Sequence, residues 1–471
     1  MSGRLRASAE DEERAREAVR SILPSQFDDD EADGDVAPGG VDVKQAYEEE
    51  TSYADGAVKQ EHSPGHGVDG GDSLMHCESE ASPEELPPDT KDFERPQFYQ
   101  DSDRENGHSK PKSPPRGNES VEVKVESAQS TLCDVVAAHY NSVPESGLDE
   151  RSKSRILHLR NFNNWIKSML IDEYVNKVRD SKPRGSSLKV LDMGCGKGGD
   201  LFKWRQGKIT HLVCADIAAT SIEQCKDRYS DIKQRAQRER NFSPLFSAEF
   251  IVANCTKERL RDHYQDVTMQ LDLVSCQFAF HYCFESLPQA ECMMRNASEC
   301  LRPGGYFFGS CPNANAIVSR ARKAGGKKFG NDVYFVEFET PINDIKPPPI
   351  FGAKYNFHME GVVDCPEFLV HFPTFIRLAE KYNLEFVACE PFNAFFDRKK
   401  VEGRGLLGRM QAFETYPPFP GQSMNGPLSQ YQHGDAYLKS QTNAQRLGTL
   451  SVAEWEATTL YLIFVFQKAS S

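Results

Sequence analysis

The chain has 471 residues, enough for two or three domains, and a net charge of −14. The acidic excess belongs to the first 120 residues, and the remainder is close to neutral. The overall charge therefore does not exclude an anionic substrate, because a neutral domain can carry local basic patches. No apolar run is long enough for a membrane span and none follows the N-terminus, so neither a span nor a secretory leader is expected.

Residues 1–130 read as a disordered acidic region. "FDDDEADGDV" and "QAYEEETSYADG" are acidic, Gly, Ser and Pro recur, and few apolar side chains are available to repay ordering. A short helix is expected near "SAEDEERAREAVRSIL". Ser63, Ser82 and Ser113 precede prolines and are candidate phosphorylation sites, and Lys110 and Lys112 form a weak nuclear-targeting patch. Residues 131–471 form the folded domain. "VAAHYN" and residues 148–180 read as helical, with Ile156, Leu159, Phe162, Ile166, Leu170 and Tyr174 at steps of three and four until Pro183 and Gly185.

Strands and helices then alternate. Apolar runs at 188–194, 211–217, 248–254, 271–279 and 304–312, then "NLEFVACEPF" and 458–468, read as seven strands. Runs buried on both faces and separated by helices predict a Rossmann-like, doubly wound, mainly parallel seven-stranded sheet with helices on both faces. Pro-, Gly- and Gln-rich sequence at 396–450 interrupts the rhythm and reads as an insertion before the last strand. The thirteen cysteines show no C-x-x-C pair and no clustering with histidine, so buried free thiols in a reducing compartment are expected and no metal site is assigned.

"LDMGCGKGGDLFKW" carries G-x-G-x-x-G at Gly194, Gly196 and Gly199, at the end of the first strand. A P-loop is excluded, since Lys197 is not followed by Ser or Thr. NAD and S-adenosylmethionine both carry an adenosine ribose, which Asp216 at the end of the second strand would bind, so Asp216 does not separate them. Three features favour S-adenosylmethionine. Asp192 precedes the first glycine, where a carboxylate would repel a pyrophosphate. The fourth strand leads into the polar and aromatic "QFAFHYCFE", and the chain ends in an extra apolar strand.

"FNNWIKS", "LDMGCGKGGDLFKW", "CQFAFHYCFES", "EGVVDCPEFLVHFP" and "GTLSVAEWEATTLYLIFVF" resemble the mRNA cap guanine-N7 methyltransferases of vertebrates, from about residue 130 to the end. The resemblance implies methyl transfer from S-adenosylmethionine to N7 of the cap guanosine in the nucleus. It implies no catalytic acid, base or nucleophile, because N7 is a bare acceptor with no proton to remove. Catalysis would then be positioning and electrostatic matching.

By the same resemblance Lys167, Gly194, Asp216, Gln277 and Tyr282 contact the methyl donor, with Lys167 reaching its carboxylate. Asn254 stands where the family has an acidic residue for the adenine amino group. Asn163 and Asn164 match RNA-contacting positions, and Lys197, Lys203 and Arg228 lie near the triphosphate bridge. His281, Glu367 and Tyr461 match cap-site positions, with Glu367 pairing with the N–H groups of guanine's Watson–Crick edge. The expected partners are capped mRNA, a small activating subunit contacting 396–450 through "GRGLLGRMQAF", and the transcription machinery through the acidic tail.

Without the resemblance the same residues read more simply. Lys203 and Arg228 would be solvated helix residues, His281 and Tyr282 core aromatics, and Glu367 a surface carboxylate or a helix-capping partner. A methyltransferase acting on a small-molecule or protein amine is the alternative function, followed by an NAD-dependent oxidoreductase and a non-enzymatic scaffold.

Overall fold

A computed structural model describes residues 132–142, 153–238, 245–345, 347–441 and 444–470. The acidic region through residue 130, with its expected helix, Ser-Pro pairs and basic patch, lies outside the described residues.

The elements run α1 (Leu132–Ser142), α2 (Leu157–Asp180), β1 (Lys189–Met193), α3 (Leu201–Gln206), β2 (His211–Asp216), α4 (Ala219–Arg238), β3 (Ser247–Val252), β4 (Leu271–Gln277), α5 (Leu287–Ser298) and β5 (Leu301–Pro312). They continue with α6 (Ala314–Ala324), β6 (Lys328–Gly330), β7 (Tyr334–Glu337), β8 (Lys354–Met359), β9 (Val363–Phe368), α7 (Phe372–Lys381), β10 (Leu384–Pro391), α8 (Phe392–Lys399) and α9 (Arg404–Arg409). The last are β11 (Glu414–Tyr416), α10 (Gln432–Ser440), β12 (Leu447–Thr449), α11 (Val452–Thr458) and β13 (Tyr461–Lys468).

The seven apolar runs are the seven strands of one sheet, ordered β10-β13-β5-β4-β1-β2-β3. Strands β3, β2, β1, β4 and β5 are parallel, and β13 runs antiparallel between β5 and β10. Successive residues feed opposite cores, as a pleated strand requires. Val190 and Leu212 join one cluster with α2, while Leu191, Met193 and Val213 join the other with α5 and α7. The helix expected from residue 148 is seen from Leu157, and its stripe from Leu159 to Tyr174 is buried. Residues 452–458, part of them assigned to the last strand, form a helix instead. Ser451 and Glu454 make a reciprocal capping box that starts it.

Two further sheets went unpredicted. β6-β7-β8-β9 form an antiparallel four-stranded sheet, and β11 pairs with β12. The signal for the larger one was present: Tyr355, Phe357 and Met359 of β8 are buried and alternate with less buried neighbours. The segment 396–450 lies between β10 and β13; α9 packs into the main core through Leu407, and β11, α10 and β12 surround a small core of Tyr416, Tyr431, Tyr437 and Leu447.

Strand order reverses between β1 and β4. The loops after these two strands leave in opposite directions, and a ligand crevice is expected at their carboxyl ends.

Candidate active site

On the β1 side, the chain turns at Gly194 with φ 69° and Gly196 with φ 50°. A Cβ on Gly194 would sit 2.5 Å from Ala279 Cβ, so the loop after β4 is packed directly on this glycine. Gly196 differs: a Cβ there would meet nothing within 4 Å, so its requirement is conformational and the space above it is open. The Gly196 N–H donates to Asp216 Oδ2 (2.8 Å), and the Ala218 N–H donates to Asp216 Oδ1 (2.9 Å). Burial pushes the Asp216 carboxyl up, and these backbone donors oppose it. Each carboxylate oxygen keeps a lone pair for a ribose hydroxyl. A backbone open to solvent beside an acceptor at the end of β2 fits an adenosyl group.

Behind the loop is a buried polar network. Lys167 and Lys203 each place Nζ 2.8 Å from Asp200 Oδ1, and Lys203 also donates to Asn164 Oδ1 and to the Gly199 carbonyl. Burial alone would raise the Asp200 carboxyl, but the two ammonium groups hold it well below the usual carboxylate range. Lys203 is only 8% exposed, which removes the solvated-helix reading. Asn163 accepts a hydrogen bond from the Thr458 hydroxyl, tying α2 to α11.

Asp192 corrects the charge argument made from the sequence. It is 3% exposed and accepts from Trp204 Nε1 at 3.1 Å. Burial, with the Asp200 charge added, pushes its carboxyl up to about 8. It is a largely neutral group under the loop, not a charge that repels a pyrophosphate.

On the β4 side, Phe278 takes φ 58°, an uncommon conformation for a side chain without local hydrogen bonding, held by its N–H to Ser310 O (3.0 Å). A 3₁₀ turn, Phe280–Glu285, follows and carries His281 and Tyr282. His281 is 2% exposed, and neither ring nitrogen has a hydrogen-bond partner. Its Nε2 lies 3.3 Å from Glu367 Oε1, without hydrogen-bond alignment. Glu367, on β9, is 4% exposed, and its Oε2 accepts from the Tyr355 hydroxyl at 2.8 Å. The surface-carboxylate reading is therefore withdrawn. The Tyr282 hydroxyl is 3.1 Å from the Tyr140 hydroxyl of α1 and 3.3 Å from Cys365 Sγ. Tyr461, at the start of β13, packs edge-on to Phe278, centroids 5.0 Å apart.

The sequence profile of the mRNA (guanine-N(7))-methyltransferase domain matches residues 123–469. The chain belongs to this family. The mRNA cap guanine-N(7) methyltransferase of Drosophila melanogaster is 50% identical over 339 residues, covering 72% of this chain and 77% of that protein. The enzyme of the same name from Caenorhabditis elegans is 39% identical over 340 residues, covering 71% and 87%. From Oryza sativa subsp. japonica, mRNA cap guanine-N(7) methyltransferase 1 is 40% identical over 338 residues, covering 71% and 80%. Membership in this methyltransferase family sets aside the oxidoreductase and scaffold readings.

For a member of the family, most of the predicted residues fall into four groups. Lys167 and Lys203 are joined through Asp200, with Asn164 held by Lys203, and His281 and Glu367 face each other. Gly194 and Asp216 frame the loop, while Lys197 on the loop and Arg228 on α4 are half-buried. Gln277 and Asn254 are engaged within the protein. Gln277 Oε1 accepts from Ser310 Oγ (3.0 Å) and its Nε2 donates to Ser275 Oγ (3.2 Å). Asn254 Oδ1 accepts from both the backbone N–H and the hydroxyl of Thr256, at 3.0 and 2.7 Å. Both lone pairs of that oxygen are used, so the expected acceptance from the adenine amino group is not available in this arrangement.

Sequence reading missed Asp200, Phe278, Tyr140, Tyr355 and Cys365. Of these only Asp200 had a local signal, as a carboxylate opening the helix after a glycine loop. It also missed that Cys195, Cys214 and Cys225 lie together, their sulfur atoms within 4.8 Å of one another.

Proposed function

We propose that S-adenosylmethionine and the 5′ cap guanosine of mRNA meet in the crevice between the β1 and β4 loops. The protein methylates guanine N7 of the cap, as its family does. S-adenosylmethionine supplies an activated methyl group on a sulfonium. The residues here do the rest by holding parts in place. Asp216 and the open backbone at Gly196 hold the adenosine ribose, and Lys167 takes the donor's carboxylate while remaining anchored by Asp200. Glu367 accepts from the N–H groups of the guanine Watson–Crick edge, a donor pattern that adenine lacks, and His281 and Tyr461 bound the base. Lys197 would set positive charge toward the triphosphate bridge, while Lys203, its donors taken by Asp200, Asn164 and Gly199, would support Asn164 on α2, next to Asn163. No residue is assigned to proton transfer, because N7 has no proton to lose.

The observation that carries this reading is the buried Glu367 carboxylate beside a histidine whose ring nitrogens lack partners. Buried polar atoms without partners are costly and point to a ligand that supplies them. Glu367→Ala should stop transfer of a labelled methyl group to capped RNA while S-adenosylmethionine still binds. Asp216→Ala should abolish that binding. Loss of donor binding in Glu367→Ala, with the fold intact, would refute the division of roles.

A small activating subunit is proposed to dock on 396–450. The apolar side of "GRGLLGRMQAF" is already spent: Leu407 is buried, and Phe413 packs on Phe162 at 5.7 Å. The better contacts are the exposed Val401, Phe419 and Leu428. Leu428→Asp should reduce activation and leave basal transfer unchanged. Action on mRNA caps supports a nuclear location, where the acidic region would meet the transcription machinery. No described helix is long and apolar enough to cross a membrane.

A further inference from the structure

Cys195, Cys214 and Cys225 come from three elements: the glycine loop, β2 and α4. Their sulfur atoms all lie within 4.8 Å of one another. Three sulfurs bound to one d10 cation at a metal–sulfur distance of about 2.3 Å stand roughly 4 Å apart. The cluster therefore has the span of a trithiolate site before any ligand binds. Cys214 and Cys225 are fully buried, Cys195 is half-buried as a residue, and the three sulfur atoms lie together in a buried cluster beneath the loop.

The electrostatics agree with the geometry. Hydrogen bonding from the Cys195 and Cys214 thiols draws Cys225 below the usual thiol range, and Arg228, one turn further along α4, acts in the same direction. The reciprocal effect pushes Cys195 up. Thiolates in such a group are the preferred ligands of soft cations.

We propose that Cys195, Cys214 and Cys225 form a binding site for one thiophilic d10 cation, Zn²⁺ or Cu⁺, under the glycine loop. Binding displaces the protons held by the three sulfurs, which leave to solvent, and forms three metal–sulfur bonds with no oxidant or reductant. No fourth carboxylate, imidazole or thiol ligand atom joins the group among the described residues. Cu⁺ is satisfied by three thiolates, whereas Zn²⁺ would need a fourth ligand from solvent. Cys195 lies between Gly194 and Gly196, so the cation would pin the loop whose Gly196 N–H is held by Asp216. The site's existence does not depend on the methyl-transfer reading.

The test uses the full chain, reduced, stripped with chelator and titrated anaerobically with Zn²⁺ and, separately, Cu⁺. Bound metal is counted by native mass spectrometry, and its ligands are read by X-ray absorption. The expected result is one equivalent of one or both cations, with sulfur neighbours at about 2.3 Å. Affinity should fall more than about 100-fold in Cys195→Ser and Cys225→Ser, beyond the cost of losing an outer hydrogen-bond partner, and stay unchanged in Cys292→Ser. Which cation binds identifies the metal. Failure of both to bind, or a wild-type absorption spectrum showing only nitrogen and oxygen neighbours, overturns the proposal even if a serine variant misfolds.

Discussion

His281 Nε2 lies 3.3 Å from Glu367 Oε1, and both side chains are almost completely buried although they come from different sheets. β9 of the antiparallel sheet delivers the carboxylate, and the turn after β4 delivers the imidazole. The four-stranded sheet therefore supplies the carboxylate proposed to recognise the base.

Glu367→Gln keeps the shape and one acceptor oxygen but replaces the other with a donor facing donors. Each good bidentate base contact is worth about 1–3 kcal/mol. The kcat/KM for capped RNA should fall about 10- to 100-fold, with S-adenosylmethionine affinity from calorimetry unchanged.

Gly194→Ala adds a Cβ 2.5 Å from Ala279 Cβ at a residue with φ 69°. The strain alone costs of order 1–3 kcal/mol, and the clash adds to it. Gly185→Ala, at φ 81° with nothing within 4 Å of its Cβ, bears the conformational cost only. Thermal melts should show Gly194→Ala clearly less stable than Gly185→Ala, and only the former should lose S-adenosylmethionine binding. Equal melting temperatures would show that the β4 loop yields to the added methyl group.

Asp192 makes stability depend on pH in a defined direction. Its folded carboxyl, pushed up to about 8, stands above its ordinary value of 3.8. The folded state thus binds the proton more tightly. Its contribution is fully present below the ordinary value and is lost as pH rises toward 8. Asp192→Asn keeps an acceptor for Trp204 and removes the titration. The variant should gain melting temperature relative to wild type between pH 5 and 8, with a slope of order 1 kcal/mol per pH unit at most. A constant difference across that range would contradict the assignment.

Asp200→Asn removes the anion shared by Lys167 and Lys203. Breaking a buried ion pair by one partner costs about 3–5 kcal/mol, less here because Lys167 is partly solvated. The variant should melt lower and show raised KM values for both S-adenosylmethionine and capped RNA. A change in only one KM would mean that the two lysines are not positioned together.

The seven-stranded sheet was legible because its strands are continuous apolar runs, and α2 because its buried residues keep helical spacing. β6 to β9 were missed because they are short and broken by Gly, Asn and Pro, although β8 alternates visibly. The Lys167–Asp200 contact and the Cys195–Cys214–Cys225 cluster join residues far apart in sequence, although Asp200 and Lys203 are an i,i+3 pair. Only the packing of loop, strand and helix brings them together. Asp192 was read as a charge because sequence shows a carboxyl group but not its burial. Asn254 was read as a ligand contact because its own turn at Thr256 was not foreseen.

The most direct test is transfer of a labelled methyl group from S-adenosylmethionine to RNA carrying a guanosine cap, an adenosine cap or no cap. Incorporation should occur on the guanosine cap alone and should be lost with Glu367→Ala. Tight binding of S-adenosylmethionine without transfer to guanosine-capped RNA, or equal transfer to the adenosine cap, would contradict the account.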